Sequence, residues 1–156
     1  MTRQRNFPTR RMVLFGGAAA LATGVYWWRA TPPHYGGAKL TVTQAHEAAA
    51  QGDVVLVDIR TPREWMATGV PSGAHPIDMR RDDFLTALAQ VAGADKTRPI
   101  AVICARGVRS ARLSRALTEA GFSNIVDVPE GMLGSAAGPG WLKTGLPVTQ
   151  VEGGSG

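Results

Sequence analysis

Two rhythms of apolar residues alternate along the chain. Residues 54–59 (VVLVDI) and 100–103 (IAVI) are short, almost continuous apolar runs, the pattern of strands buried on both faces of a parallel sheet. Residues 74–77 and 124–128 read as two further strands. Between these runs the period lengthens. Phe84, Leu85, Leu88 and Val91 recur at helical spacing over residues 82–91, and Leu113, Ala116 and Leu117 do so in a helix that starts near Arg109 and stops at Gly121. Two helix starts are written into the polar positions. Thr41 with Gln44 forms a capping box for a helix through Ala50 with Gly52 at its end. Thr61-Pro62-Arg63-Glu64 combines a cap, a proline at the first helical position and a glutamate at the third. Residues 69–73 (GVPSG) form a turn, Pro129-Glu130-Gly131 a loop, and residues 134–140 a flexible connection. Trp141-Leu142 and Leu146-Pro147-Val148 pack the end of the domain. Strands alternating with helices predict an α/β fold of three layers, a mainly parallel central sheet flanked by helices.

The ends of the chain follow another logic. Residues 1–28 combine a basic region ending in Arg10-Arg11, an apolar stretch at 12–28, and the polar sequence that opens at Arg29. The run TRRMVL at 9–14 resembles the twin-arginine export motif. This predicts an export signal or membrane anchor, with the body on the periplasmic side of a bacterial inner membrane, anchored or released after cleavage. A stretch of seventeen residues is at the lower limit for a span. Tyr26-Trp27-Trp28 before Arg29 has the character of an interfacial belt, which favours a retained anchor, although Ala20-Leu21-Ala22 offers a cleavage pattern. Residues 29–39, rich in Pro and Gly, read as a linker, residues 40–148 as the domain, and residues 149–156 as a flexible tail.

Charge alters the picture only by its position. The formal net charge is +5, yet residues 31–156 hold 12 basic and 12 acidic side chains. The excess lies wholly in the N-terminal segment, which argues for targeting and against a nucleic-acid surface. His34, His46 and His75 are scattered, no metal-ligand spacing occurs, and neither a nucleotide-binding glycine fingerprint nor a serine nucleophile elbow is present. No cofactor or metal is expected.

The chemistry concentrates at the only cysteine, Cys104. A strand that feeds a glycine-containing loop and then a helix N-terminus leaves unpaired amides and the positive end of a helix dipole around the loop. That setting favours the thiolate and makes Cys104 the candidate nucleophile. Arg106 and Arg109 add two charges. Mid-loop, Arg106 is expected to face solvent and attract an anionic donor. Arg109 opens the helix and either binds substrate or braces the loop.

Three stretches together resemble the rhodanese (thiosulfate sulfurtransferase-type) family over residues 40–148: residues 55–65 (VLVDIRTPREW), residues 104–110 (CARGVRS), and residues 120–128 (AGFSNIVDV) followed by Gly131, Trp141 and Gly145-Leu146-Pro147. One departure is Pro129-Glu130-Gly131, where the family often has two consecutive glycines. The resemblance implies a sulfurtransferase that moves sulfane sulfur from thiosulfate or a persulfide donor to a thiophilic acceptor through a persulfide on Cys104. Ala105, Arg106, Gly107, Val108 and Arg109 would bind the substrate, with Asp58, Arg60 and Glu64 in support, a buried ion pair among them orienting the walls of the site. The partners it implies are a small anionic sulfur donor and a thiol or cyanide acceptor, a protein acceptor included, with the membrane reached through residues 12–28. Related phosphatases and arsenate reductases have one more residue between Cys and Arg; the six residues from Cys104 to Arg109 match the sulfur-handling length. The alternative is a non-catalytic persulfide carrier or docking module in a periplasmic sulfur or redox system.

Overall fold

The computed structural model describes residues 26–27 and 31–151. It divides into one unit at residues 1–31 and a second at 32–156. The export motif, nearly all of the apolar stretch and residues 152–156 lie outside the described residues. No helix among those described is long and apolar enough to cross a membrane.

In chain order the second unit runs β1 (Ala38–Lys39), α1 (Val42–Gln51), β2 (Val55–Asp58), α2 (Pro62–Thr68), β3 (Val70–Pro71), β4 (His75–Pro76), α3 (Phe84–Ala92), β5 (Ile100–Ile103), α4 (Val108–Glu119), β6 (Ile125–Val128) and β7 (Val148–Thr149). Five strands form one parallel sheet in the order β1-β6-β5-β2-β4, while β3 and β7 form a separate antiparallel ribbon. The apolar runs become the inner strands because both of their faces are covered, and every residue of β2 and β5 is buried. Alternation sends Val55, Val57, Ile100, Val102, Cys104 and Ile125 to the face packed with Phe84 and Leu88 of α3 and with Ala111 and Leu117 of α4. Leu56, Ala101, Ile103 and Val128 point the other way, against Val42 and Ala45 of α1, Met132 and Trp141. This is the three-layer α/β arrangement that the sequence predicts.

Both capping boxes form: Thr41 receives the amide of Gln44 and Thr61 that of Glu64, with the reciprocal bonds in place. Three segments differ from expectation. Residues 35–39 are domain, not linker: Tyr35 is buried with its hydroxyl donating to the Ile125 carbonyl at 2.7 Å, and β1 pairs along the otherwise open edge of β6. An edge strand supplies partners for unpaired amides and carbonyls, which outweighs the local glycines. Thr149 is likewise not tail, because it pairs with Val70. Residues 134–140 are a folded turn closed by Ser135 and Gly138.

At the end of β2 the predicted buried ion pair is present. Asp58 is 0% and Arg60 1% exposed. Arg60 Nε and Nη2 hold the Asp58 carboxylate, with Nη2 at 2.6 Å from Oδ2. The remaining donors reach Thr68 Oγ1 at 2.7 Å, the Gly69 carbonyl at 2.7 Å and the Glu64 carbonyl at 3.4 Å. All five N–H groups of the guanidinium are therefore used within the protein. A buried charge stripped of its partner is costly, whereas an apolar pair in the same space is not. Arg60→Met and Asp58→Leu are each expected to lower stability by about 3–5 kcal/mol, and the double variant by less than either alone. Urea denaturation of the four proteins measures this.

Candidate active site

β5 ends at Ile103, and the chain turns through residues 104–107 into α4. Gly107 makes that turn with φ of 82°, a left-handed value open to glycine at no steric cost. A Cβ there would strike the carbonyl of Pro129. Cys104 lies on the floor of the turn and is 1% exposed.

Residues 129–133 hold the loop from the side. The carbonyls of Cys104 and Ala105 accept from the amides of Met132 and Leu133, both at 2.9 Å. Gly131 passes so close to the Ala105 backbone that no side chain fits between them. With its carbonyls occupied in this way, the loop leaves the amides of Ala105, Arg106, Gly107, Val108 and Arg109 without a backbone acceptor among the described residues. Successive unpaired amides at the N-terminus of a 12-residue helix form an anion-binding nest.

Arg109 fixes the far end of the loop. Its Nη1 and Nη2 donate to Glu64 Oε2 and Oε1 at 2.9 and 2.5 Å, a bidentate pair. Glu64 Oε2 also accepts from the amide and hydroxyl of Thr61, each at 3.0 Å. One carboxylate thus caps α2 and clamps the start of α4. Hydrogen bonding from Arg109 is the main reason the Glu64 carboxyl is pulled down to about 2, against the opposing effect of burial. The same bond raises Arg109 above its usual range. Arg109 thus pairs with Glu64 across the loop, the contact that a bracing role requires.

Arg106 is exposed, as expected, and its Nη1 reaches the Gly134 carbonyl at 3.5 Å. It borders a shallow hollow of about 300 Å³ shared with Leu133, Ser135 and Lys143. Ala105 and Val108 are half-buried beside it. Asp58 and Arg60 occupy each other at the end of β2.

Two residues with clear positions went unassigned in the sequence. Glu130, 4% exposed, accepts from the amide of Val42 at 3.1 Å and from that of Gly140 at 3.1 Å. It ties the rim loop to the first residue of α1 and packs against Gly138, where a Cβ would collide with its carboxylate. Its signal was the missing glycine in Pro129-Glu130-Gly131. The second is Ser110, whose Oγ lies 3.7 Å from Cys104 Sγ. It stands within the quoted CARGVRS run, but burial on the inner face of α4 is a tertiary fact. Among the described residues no cluster of His, Cys, Asp and Glu could hold a metal ion.

Comparison with known proteins places this geometry. Residues 41–137 match the rhodanese-like domain. The chain is 28% identical to a sulfurtransferase of Allochromatium vinosum over 65% of its own length and 83% of that protein's. It is 29% identical to a thiosulfate sulfurtransferase of Actinobacillus pleuropneumoniae, covering 67% and 86% of the two chains. The solved structure of a homodimeric polysulfide-sulfur transferase from Wolinella succinogenes superposes with a TM-score of 0.58 at 25% identity, covering 89% of this chain and 93% of that one.

The depressed Glu64 carboxyl sets a pH dependence. Its folded value lies below the ordinary 4.5, so the stability it contributes is complete above about pH 4.5 and is lost as pH falls toward 2. Since the pair is partly exposed, screening reduces its worth to roughly 1 kcal/mol. Glu64→Gln is expected to flatten the acid limb of a stability–pH curve over that interval and to leave the limb above pH 5 parallel to that of the wild type; urea titrations at stepped pH measure it.

Proposed function

Because the chain belongs to the family of rhodanese-like domains, with a general role in sulfur transfer, we propose that Cys104 carries sulfane sulfur as a persulfide between an anionic donor and an external thiophilic acceptor. The observation that carries this reading is the loop itself. A cysteine lies at its floor, and the amides of residues 105–109 have no backbone acceptor among the described residues, while the carbonyls of Cys104 and Ala105 are held. Such a nest suits a group that alternates between thiolate and persulfide anion.

The two half-reactions are as follows. The Cys104 thiolate attacks the outer sulfur of thiosulfate, the S–S bond of the donor breaks, and sulfite leaves with the bonding pair. With a persulfide donor, a thiolate leaves instead. A thiol or cyanide acceptor then attacks the terminal sulfur of the enzyme persulfide, and Cys104 departs as thiolate. Dividing the transfer at a covalent intermediate gives ping-pong kinetics. With one cysteine in the chain there is no internal thiol to resolve the persulfide, so each cycle needs the external acceptor. Exposed Arg106 and Lys143 draw an anionic donor toward the loop.

The reading extends to location. The basic N-terminus, the TRRMVL run and the apolar residues 12–28 support export of the domain to the periplasmic side of a bacterial inner membrane, anchored or released. The alternative carrier has one observation in its favour: a sulfur 1% exposed is a sheltered place to store a persulfide.

Full-length protein incubated with thiosulfate is expected to gain the mass of one sulfur atom on Cys104, and to turn over repeatedly with cyanide or a thiol, giving parallel double-reciprocal plots. Cys104→Ala abolishes both. Arg109→Leu leaves Thr61 its Glu64 partner but frees the loop, and is expected to lower kcat by about tenfold or more. Stoichiometric loading without turnover selects the carrier; absence of loading overturns both readings.

A further inference from the structure

The mouth of the site carries apolar surface that transfer between small molecules leaves unused. Residues 132–143 fold back on themselves there. The Leu142 amide donates to the Met132 carbonyl at 3.1 Å, and a Cβ on Gly140 would strike the Gly134 backbone. This turn sets Leu142 and Lys143 beside Leu133, whose own amide holds the Ala105 carbonyl. Among the described residues of the second unit four large apolar side chains are exposed, and two of them, Leu133 and Leu142, stand on this one turn. Apolar side chains scattered singly over a surface need no explanation, whereas neighbouring ones at the entrance to a site mark a place of contact.

The charges around the mouth are not balanced. Glu64 is paired with Arg109, and Asp78, within electrostatic reach of Arg109, is paired with Arg80. Glu130 is the only acid of residues 129–143; it is buried and accepts from the amides of Val42 and Gly140. Arg106 and Lys143 are both exposed, and neither has a carboxylate partner among the described residues. They line the same hollow as Leu133. A small anionic donor accounts for these two cations but makes no use of the leucines. An apolar patch edged by unpaired cations is complementary to an apolar patch edged by carboxylates.

We propose that the turn of residues 133–143, together with Arg106, is the docking surface for a protein sulfur acceptor: a thiol on a projecting acidic segment whose flanking apolar residues rest on Leu133 and Leu142. The inference rests on the reading of Cys104 as the sulfur carrier and names the class of acceptor for that site. Depth sets the shape of the partner. Cys104 is 1% exposed, so a flat surface laid across the rim does not touch it, and the incoming thiol has to sit on a loop or a chain end. Width sets the lifetime. A patch of a few residues belongs to transient encounters, which bury less than about 1,200 Å², and so suits release after each transfer. In that transfer the acceptor thiol gives its proton to solvent and its thiolate bonds the terminal sulfur of the persulfide. The S–S bond breaks, and Cys104 leaves as thiolate.

Fluorescence anisotropy with full-length protein and two labelled peptides tests the docking without sulfur chemistry. One peptide has aspartates and leucines around a central serine, which stands in for the thiol; the other has lysine at each aspartate. The acidic peptide is expected to bind about tenfold more tightly at low salt, an advantage that shrinks as ionic strength rises. Lys143→Glu is expected to remove that preference, and Leu142→Ser to weaken binding about threefold to tenfold at either ionic strength. Equal binding of the two peptides overturns the proposal, as does a preference that survives Lys143→Glu. Should circular dichroism show Leu142→Ser unfolded, the peptide decides. An acidic peptide with serine at every leucine is expected to bind the wild type about threefold to tenfold more weakly, and equal affinity overturns the proposal. Anionic lipid vesicles are the competing occupant: vesicle binding weakened by Lys143→Glu, without any peptide preference, assigns the patch to a membrane surface and overturns the proposal. Sulfur transfer is read separately, with cysteine in place of the serine. A protein that loads sulfur and docks the acidic peptide, yet passes sulfur to it no faster than to the lysine counterpart, overturns the acceptor assignment. One that docks the acidic peptide but gains no sulfur from thiosulfate or a persulfide refutes the Cys104 reading and leaves the docking surface standing.

Discussion

A loop that is to bind an anion through its backbone must keep its amides unpaired, and a protein interior resists unpaired amides. The Arg109–Glu64 clamp is how this chain reconciles the two demands. By fixing the first turn of α4 from the side-chain level, it removes the need for backbone hydrogen bonds that would consume the amides of residues 105–109. Glu64 can serve because the capping box of α2 has already locked its carboxylate in place through Thr61. A local helix signal thereby becomes a tertiary anchor.

The rest of the fold supplies walls to this clamp. The Asp58–Arg60 pair closes the end of β2 with every guanidinium donor engaged. Residues 129–133 press on the loop from the other side, taking its carbonyls and meeting it at Gly107 and Gly131, where two backbones come too close for a Cβ. Glu130 does what a glycine cannot. Its carboxylate bridges the amides of Val42 and Gly140, so the rim loop is bound both to α1 and to the turn before Trp141. The departure from the family's glycine pair therefore changes how the rim is held and leaves the floor of the loop in place.

Positive charge is layered around the sulfur by function. Arg109 is paired with Glu64, Arg106 is exposed at the mouth, and the positive end of the α4 dipole lies at the centre. Among the described residues, Asp127 is the acid on the inner face near the sulfur, and burial raises its carboxyl above the ordinary range.

Periodicity and capping are local properties, and they were readable residue by residue. The VVLVDI and IAVI runs gave the buried strands, Thr61 with Glu64 gave a helix start, and the strand–loop–helix around Cys104 gave a candidate nucleophile at the head of a six-residue loop. Residues 35–39 and Thr149 were misread because glycine and terminal position argue for disorder, while pairing to a distant strand edge decides otherwise. The long-range choices were also hidden: that Arg109 meets Glu64 across 45 positions, that Glu130 meets Val42, and that Ser110 and Asp127 share one buried face behind Cys104. By itself, the sequence determined the kind of scaffold and singled out Cys104 as the candidate nucleophile on it. Only the tertiary structure decided which charges are paired and which are exposed, because burial and pairing depend on what the fold brings alongside each group.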